Sequence, residues 1–499
     1  MAETSSAAPA PSPLTSGPTD PPAPARMEPA HRRAVSLLLV SAFVVILNET
    51  MMSVAVPQLM ADLAITASTA QWVTAAFMLT MAVVIPITGF VLQRVTTRAA
   101  FLTAMGLFSV GTLVCALAPG FVVLVLGRVV QASGTAIMMP LLMTTVMTVT
   151  PPASRGRTMG NISVVISVAP ALGPTVSGFV LGVLDWRWLF VLVLPIALGA
   201  FALGAARLTN LTEPRYARVD VLSVGLAALA FGGIVFGLSR FGEASHAAGG
   251  LVGAWAPVVV GAAALSLFIA RQLWLQRRDA ALLDLRTFTS PVFSVAVGLM
   301  GLSMLALFGT LILLPYYTQN VLGLAALTTG LLVLPGGVLM GVLAPGVGRA
   351  YDRFGARRLL VPGTVLVSSA VWGMTTLDER SAAWHVLVLH VLLSLGLALT
   401  FTPLFTASLG SLAPRLYSHG SAVVGTVQQV AGAAGTALFV TVMTAGALAS
   451  TRGPATDVLA VADGVHDAFL VGAVLTLLAI PAALAMRTPQ GPAAHGAGH

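Results

Sequence analysis

The chain has 499 residues, 57% of them hydrophobic and only 8% charged, with a mean hydropathy of +0.94. Soluble domains are about a quarter charged, so the composition excludes a soluble protein and points to an all-α polytopic membrane protein. All 25 basic residues are arginine, and a chain without lysine has neither a Walker A loop nor a Schiff-base amine. The formal net charge of +8 is read as basic loops facing the cytoplasm, with no nucleic-acid partner. The single Cys115 excludes an internal disulfide.

Residues 1–30 are rich in Pro, Ala and Ser and lack a hydrophobic stretch behind a basic start, so they read as a disordered cytoplasmic tail. At about 20 mostly apolar residues per span, fourteen spans follow. The first six are 34–56, 72–92, 99–118, 121–146, 159–183 and 188–206; two more are 222–238 and 252–270. The last six are 292–317, 329–347, 359–376, 383–405, 423–447 and 469–486. With the N-terminus inside, twenty arginines fall on the inner side. Arg187, Arg240, Arg380 and Arg452 fall outside, and Arg128 alone lies within a span. This bias supports an even number of spans with both termini cytoplasmic. The loops are too short for a soluble catalytic domain, so no enzyme activity and no metal or cofactor is expected.

The first span holds Ile-Leu-Asn-Glu-Thr-Met-Met-Ser-Val-Ala-Val-Pro at 46–57, and Glu49 is the only acid in any predicted span. A charge near the bilayer centre costs roughly 2.5–3.5 kcal/mol on insertion scales, so an intramembrane acid is functional by default. The fourth span carries Leu126-Gly-Arg128-Val-Val-Gln131-Ala-Ser-Gly134, and its arginine needs a carboxylate, a carbonyl or water. At 1.5 Å per residue Glu49 and Arg128 lie about 6 and 8 Å to the outer side of their span centres. They are expected to interact directly or through water. Asn48, Met52, Gln131, Tyr317, Gln428 and Gln429 are the candidate cavity residues. His390, the deepest histidine in any span, is a second candidate for a proton, although a lone histidine is more often structural.

Two loops repeat one design. Gly89-Phe-Val-Leu-Gln93-Arg94-Val-Thr-Thr-Arg98 follows the second span, and Gly348-Arg-Ala-Tyr-Asp352-Arg353-Phe-Gly355-Ala-Arg357 follows the tenth. Equivalent loops indicate a duplicated six-span unit with two spans inserted between the copies. Glycine permits tight turns and close helix approach, while Asp and Arg can cap helix ends. Span five holds Ala169-Pro170-Ala171-Leu172-Gly173-Pro174-Thr-Val-Ser177-Gly178, where two prolines four apart beside glycines suggest a hinge or gate. The tryptophans of Asp185-Trp186-Arg187-Trp188 and the pair Tyr316-Tyr317 are read as interfacial anchors.

Together these motifs resemble the major facilitator superfamily, specifically its fourteen-span drug:proton antiporter branch, over about residues 34–488. Asn48 stands where that branch often has its first-span acid, and the first loop copy has Gln93 for the acid and Thr96 for the second glycine. The resemblance implies two six-helix bundles, 31–206 and 291–488, separated by two inserted helices within 207–290 and followed by a cytoplasmic tail, 489–499. It also implies that Glu49 and Arg128 carry proton coupling. Gly89, Arg94, Gly348, Asp352, Arg353 and Gly355 would latch the inner face, while Pro170, Gly173, Pro174 and Gly178 gate it. The expected function is export of small amphipathic or cationic compounds across the cell membrane in exchange for protons, by a monomer in the lipid bilayer. Alternatives are a dedicated exporter of one metabolite or self-made antibiotic and, remotely, a polytopic membrane enzyme.

Overall fold

The computed structural model describes residues 27–210, 220–241, 250–452, 454 and 457–486. Most of the expected tails, with Arg26, Arg215, Arg218 and Arg487, lie outside the described residues. The N-terminal tail is shorter than expected where it can be seen, because Pro29 already opens the first helix. The helices are α1 (Pro29–Asp62), α2 (Ala67–Arg94), α3 (Thr97–Ala116), α4 (Phe121–Val149), α5 (Arg155–Leu181), α6 (Trp188–Arg207), α7 (Val221–Phe241) and α8 (Gly250–Leu275). They continue as α9 (Pro291–Asn320), α10 (Ala326–Phe354), α11 (Arg357–Met374), α12 (Ala383–Gly410), α13 (Tyr417–Ala449), α14 (Val458–Leu477) and α15 (Ala479–Ala485).

Local chemistry explains several boundaries. Thr66, Thr96 and Ser290 each accept a backbone N–H at the start of α2, α3 and α9, the capping expected of hydroxyl side chains. Gly355 ends α10 with φ +77°, a backbone conformation that glycine adopts without cost. Among the described residues, thirteen segments are long and apolar enough to cross a membrane. The predicted eleventh span, α11, is not among the thirteen: its 18 residues open on Arg357 and Arg358, which lower its mean hydropathy.

The last span needs a correction. Its helix begins at Val458, well before the predicted start at 469, and so includes Asp463 and Asp467. Glu49 is therefore not the only acid in a spanning segment. Asp463 is tolerated because Arg452 Nη1 donates to it at 2.9 Å and Ser450 Oγ at 2.6 Å; hydropathy alone could not show that pairing.

Helices α1–α6 pack as one group and α9–α15 as another, while α7 lies against α2 and α13, touching both groups, with α8 behind it. A Cβ on Gly261 would lie 2.7 Å from the Ile234 nitrogen, so α7 and α8 meet backbone to backbone. Large apolar side chains such as Phe179, Val342 and Leu117 are more than 70% exposed, as suits surfaces that face lipid.

Asp220, just before α7, ties the insertion together. Arg271 donates Nε and Nη2 to it, each at 2.8 Å, and the buried Gln272 joins Ser223 to the backbone of Leu282 and Leu283. The Arg271 hydrogen bonds hold the Asp220 carboxyl down at about 2. A depressed folded-state value means stabilisation that is complete above the ordinary aspartate range and disappears as pH falls through about 2. At pH 7, Asp220→Ala should therefore destabilise the protein by about 1–2 kcal/mol. In thermal unfolding, the gap between the variant and the unaltered protein should narrow steadily below pH 4.

Candidate functional site

Asn48 and Glu49 are adjacent past the middle of α1 but have different surroundings. Asn48 is fully buried, whereas Glu49 keeps part of its side chain exposed. Among the described residues the Glu49 carboxylate makes no hydrogen bond or ion pair, and the charge acting on it is that of Arg128. Arg128 on α4 is completely buried. Its Nη1 donates to Gln131 Oε1 at 2.7 Å and to Asn48 Oδ1 at 3.4 Å, and its Nε to the Val73 carbonyl at 3.5 Å. The guanidinium carbon lies 4.0 Å from the ring centroid of Phe77, a contact worth about 2 kcal/mol when desolvated. Gln131 is fixed in turn by donating to Thr112 Oγ1 at 2.7 Å, and Thr112 donates to the Phe108 carbonyl at 2.6 Å. The expected direct contact of Glu49 with Arg128 is not made, because the neutral amide of Asn48 occupies that place.

Four of the six expected cavity residues present no surface in this conformation. Asn48, Met52 and Gln131 are fully buried, and Tyr317 is buried with its hydroxyl donating to the Asp378 carbonyl at 2.6 Å. Only Gln428 and Gln429, half-buried on α13, keep partial exposure. His390 lies between α10 and α12, with Nε2 3.2 Å from the Val333 carbonyl and Nδ1 without a partner among the described residues. In α5, Gly173 packs against Thr50, the neighbour of Glu49, so closely that a Cβ would run into the threonine hydroxyl. Pro174 and Gly178 are exposed, and a Cβ on Gly178 would touch nothing within 4 Å; Pro170 is half-buried. The motif thus presses one face onto α1 beside the acid and leaves the other open.

The two helix groups meet toward the arginine-rich face. Asp352, at the end of α10, accepts the Gly156 and Arg157 amides at 2.7 and 2.9 Å. It thereby places an anion on the N-terminus of α5, where the helix dipole and free N–H groups favour one. Ser154, the residue in the cap position, makes no side-chain cap, so the cap comes from the other group of helices. Gly348 lies against the Gly156 backbone with no space for a Cβ, Gly160 against Ala344 and Pro345, and Gly341 against Val168. On the pseudo-equivalent side, a Cβ on Gly89 would lie 3.0 Å from the Ser418 carbonyl oxygen, and Gln93 Nε2 donates to the Arg415 carbonyl at 3.1 Å. Ser163–Thr402 and Thr144–Ser421 hydrogen bonds complete the seam. Among the described residues, every hydrogen bond between the groups lies in the half of its helix nearer this face.

Among the described residues Arg94 and Arg353 make no ion pair; each rests on a neighbouring ring of its own helix, Phe90 at 5.3 Å and Phe354 at 5.1 Å. Among the described residues, the seam is held by an acid on a helix end and a set of glycine contacts, with no salt bridge. Gly156 and Gly160 were missed by the sequence reading, although their Gly-x-x-x-Gly spacing is a recognisable signal of close helix approach.

The opposite face is braced within each group. Trp186 is fully buried and donates to Asp62 at 2.9 Å, so it is no interfacial anchor. Arg187 donates to Asp62 at 3.0 Å and to the Ala118 carbonyl at 3.1 Å, joining the ends of α1 and α3 to the α5–α6 loop. Arg452 plays the matching part in the other group, bonding Glu379 and Asp463, each at 2.9 Å.

The family model described as Major Facilitator Superfamily matches residues 38–436. The "Uncharacterized MFS-type transporter YcnB" of Bacillus subtilis (strain 168) is 40% identical over 92% of this chain and 96% of its own length. "Lincomycin resistance protein LmrB" of Listeria monocytogenes (serovar 1/2a, strain ATCC BAA-679 / EGD-e) is 37% identical over 91% of this chain and 96% of its own. Among solved structures, the human organic anion transporter MFSD10 (TETRAN) aligns with a TM-score of 0.62 and 14% identity, covering 91% of this chain and all of that one; this likeness concerns the fold alone.

Proposed function

This chain belongs to the Major Facilitator Superfamily and is a multi-pass membrane transporter; from that premise we propose that it is a proton-coupled antiporter. Its substrates are small amphipathic or cationic organic compounds, including drugs and antibiotics, exported from the cytoplasm by alternating access. The observation that carries the reading is the partly open Glu49 carboxylate beside the buried charge of Arg128. A single acid able to take either a proton or a cationic group gives the mutual exclusion that antiport requires. The loss of three candidate polar contacts, Asn48, Gln131 and Tyr317, to burial leaves few groups to fix one ligand's orientation, which favours breadth over a single dedicated metabolite. The lincomycin resistance named for the Listeria relative supports an antibiotic among the substrates. With the arginine-rich face in the cytoplasm of a cell whose plasma membrane holds the protein as a monomer, the conformation described is closed inward.

Purified protein in proteoliposomes under an imposed pH gradient tests this. Addition of lincomycin or a lipophilic cation should drive protons across the membrane in the opposite direction to the substrate. Substrate flux that is indifferent to collapse of the gradient would overturn proton coupling.

A further inference from the structure

Arg128 is a buried cation whose hydrogen-bond partners are all neutral, and its Nη2 has no acceptor. Asn48 gives its Oδ1 to that guanidinium and leaves its own Nδ2 without a partner. Buried donors are seldom left unmade, since each costs the desolvation of the group. Two of them in one network indicate an arrangement in which an acceptor arrives. Glu49, the next residue on α1, is a carboxylate without a hydrogen bond, within electrostatic reach of Arg128 and partly open. The other groups around the network are the Phe77 ring and Val73 carbonyl from α2, Cys115 from α3 and Gly173 from α5. None of these is a carboxylate.

We propose that Asn48 and Glu49 are alternate partners of Arg128. With the Glu49 carboxylate turned to the open space, as here, Asn48 holds the guanidinium. In the empty, ionised site the carboxylate replaces the Asn48 amide on the guanidinium and gives Arg128 Nη2 the acceptor it lacks here. Arg128 is then an internal competitor: a proton or a cationic group takes Glu49 only by displacing it, and Asn48 eases the displacement by supplying a neutral replacement. Asn48 is thus a positioning residue that sets how tightly Glu49 is held without touching the substrate. Its place in the transport cycle rests on the antiport reading above, but the partner exchange does not.

The test labels Glu49 with dicyclohexylcarbodiimide, which attacks protonated carboxyls in apolar surroundings, across a pH series. Labelling is read by mass spectrometry in the full-length protein and needs no transport. In Asn48→Leu, Arg128 has lost its neutral partner and holds the ionised carboxylate, so half-maximal labelling should move to lower pH by about one unit. In Asn48→Asp the guanidinium gains a permanent carboxylate and releases Glu49, so the midpoint should move up by a similar amount. Equal midpoints, or shifts in the same direction, overturn the proposal, as does a Glu49 that is never labelled. If the leucine variant fails to fold, the direction of the aspartate variant alone decides. Opposite shifts in a protein that moves no protons with substrate would keep the partner exchange and sink the antiport reading.

Discussion

Glu49→Gln should abolish proton-coupled efflux while leaving expression, folding and the closed seam intact. Glutamine has nearly the volume of glutamate, and the carboxylate makes no hydrogen bond whose loss would disturb the helix, so the change removes a charge and little else. What remains is the Arg128 guanidinium with neutral partners only, and no group whose proton can be exchanged for a substrate. Gradient-driven export should fall by more than about tenfold, a coupling loss of at least roughly 1.4 kcal/mol. Slow equilibration of substrate down its own gradient persists. Fluorescent proton-flux and substrate-flux assays on the same vesicles check both halves. Undiminished gradient-driven transport would assign the proton to another group, with His390 first in line.

The second large effect is expected at the seam. Gly348→Val forces a branched side chain into the backbone of Gly156, where no flexible neighbour can yield. The arginine-rich face can then no longer close, and transport should fall by more than about tenfold, because overpacking between rigid backbones costs roughly 1–3 kcal/mol or more. Each helix group should still fold, since the position lies between the groups and outside either core. Asp352→Asn should act in the same direction but more weakly: its single amide oxygen keeps one of the two N–H bonds from Gly156 and Arg157, while the other bond, about 0.5–1.5 kcal/mol, and the interaction of charge with helix dipole, about 0.3–1 kcal/mol, are lost. Reaction of a maleimide with a cysteine placed at Gln429, in a Cys115→Ser background, reports the open face. Faster modification from the arginine-rich side in Gly348→Val is the expected result, and a wild-type transport rate in that variant would contradict the closure argument.

The fold was legible because a bilayer leaves few options: twenty-residue apolar runs mark where the helices follow one another. The exceptions are instructive. Residues 458–468 read as loop because Asp463 and Asp467 break the apolar run, yet the pairing of Asp463 with Arg452 lets the helix start there. At the site, residue types were informative and partners were not. Glu49 and Arg128 could be picked out as charges in the wrong solvent, but a turn of 100° per residue decides whether residue 48 or 49 meets the guanidinium, and periodicity read from an apolar helix does not resolve that. Tyr317 and Trp186 illustrate the same limit. Each has a polar tip that suits an interface or a ligand, and only the loops folded over them show that Asp378 and Asp62 take those tips.

The braces on the open face bear on how the chain is threaded into its membrane. Arginine is the residue least welcome on the translocated side, and in the proposed orientation Arg187 and Arg452 must both be carried across. In the folded protein Asp62 receives the first, while Glu379 and Asp463 receive the second. These partners come from other segments of the chain, so each arginine crosses as a bare cation and is neutralised only when its helices have packed, which makes the folding of each corner the step that settles the charge in place.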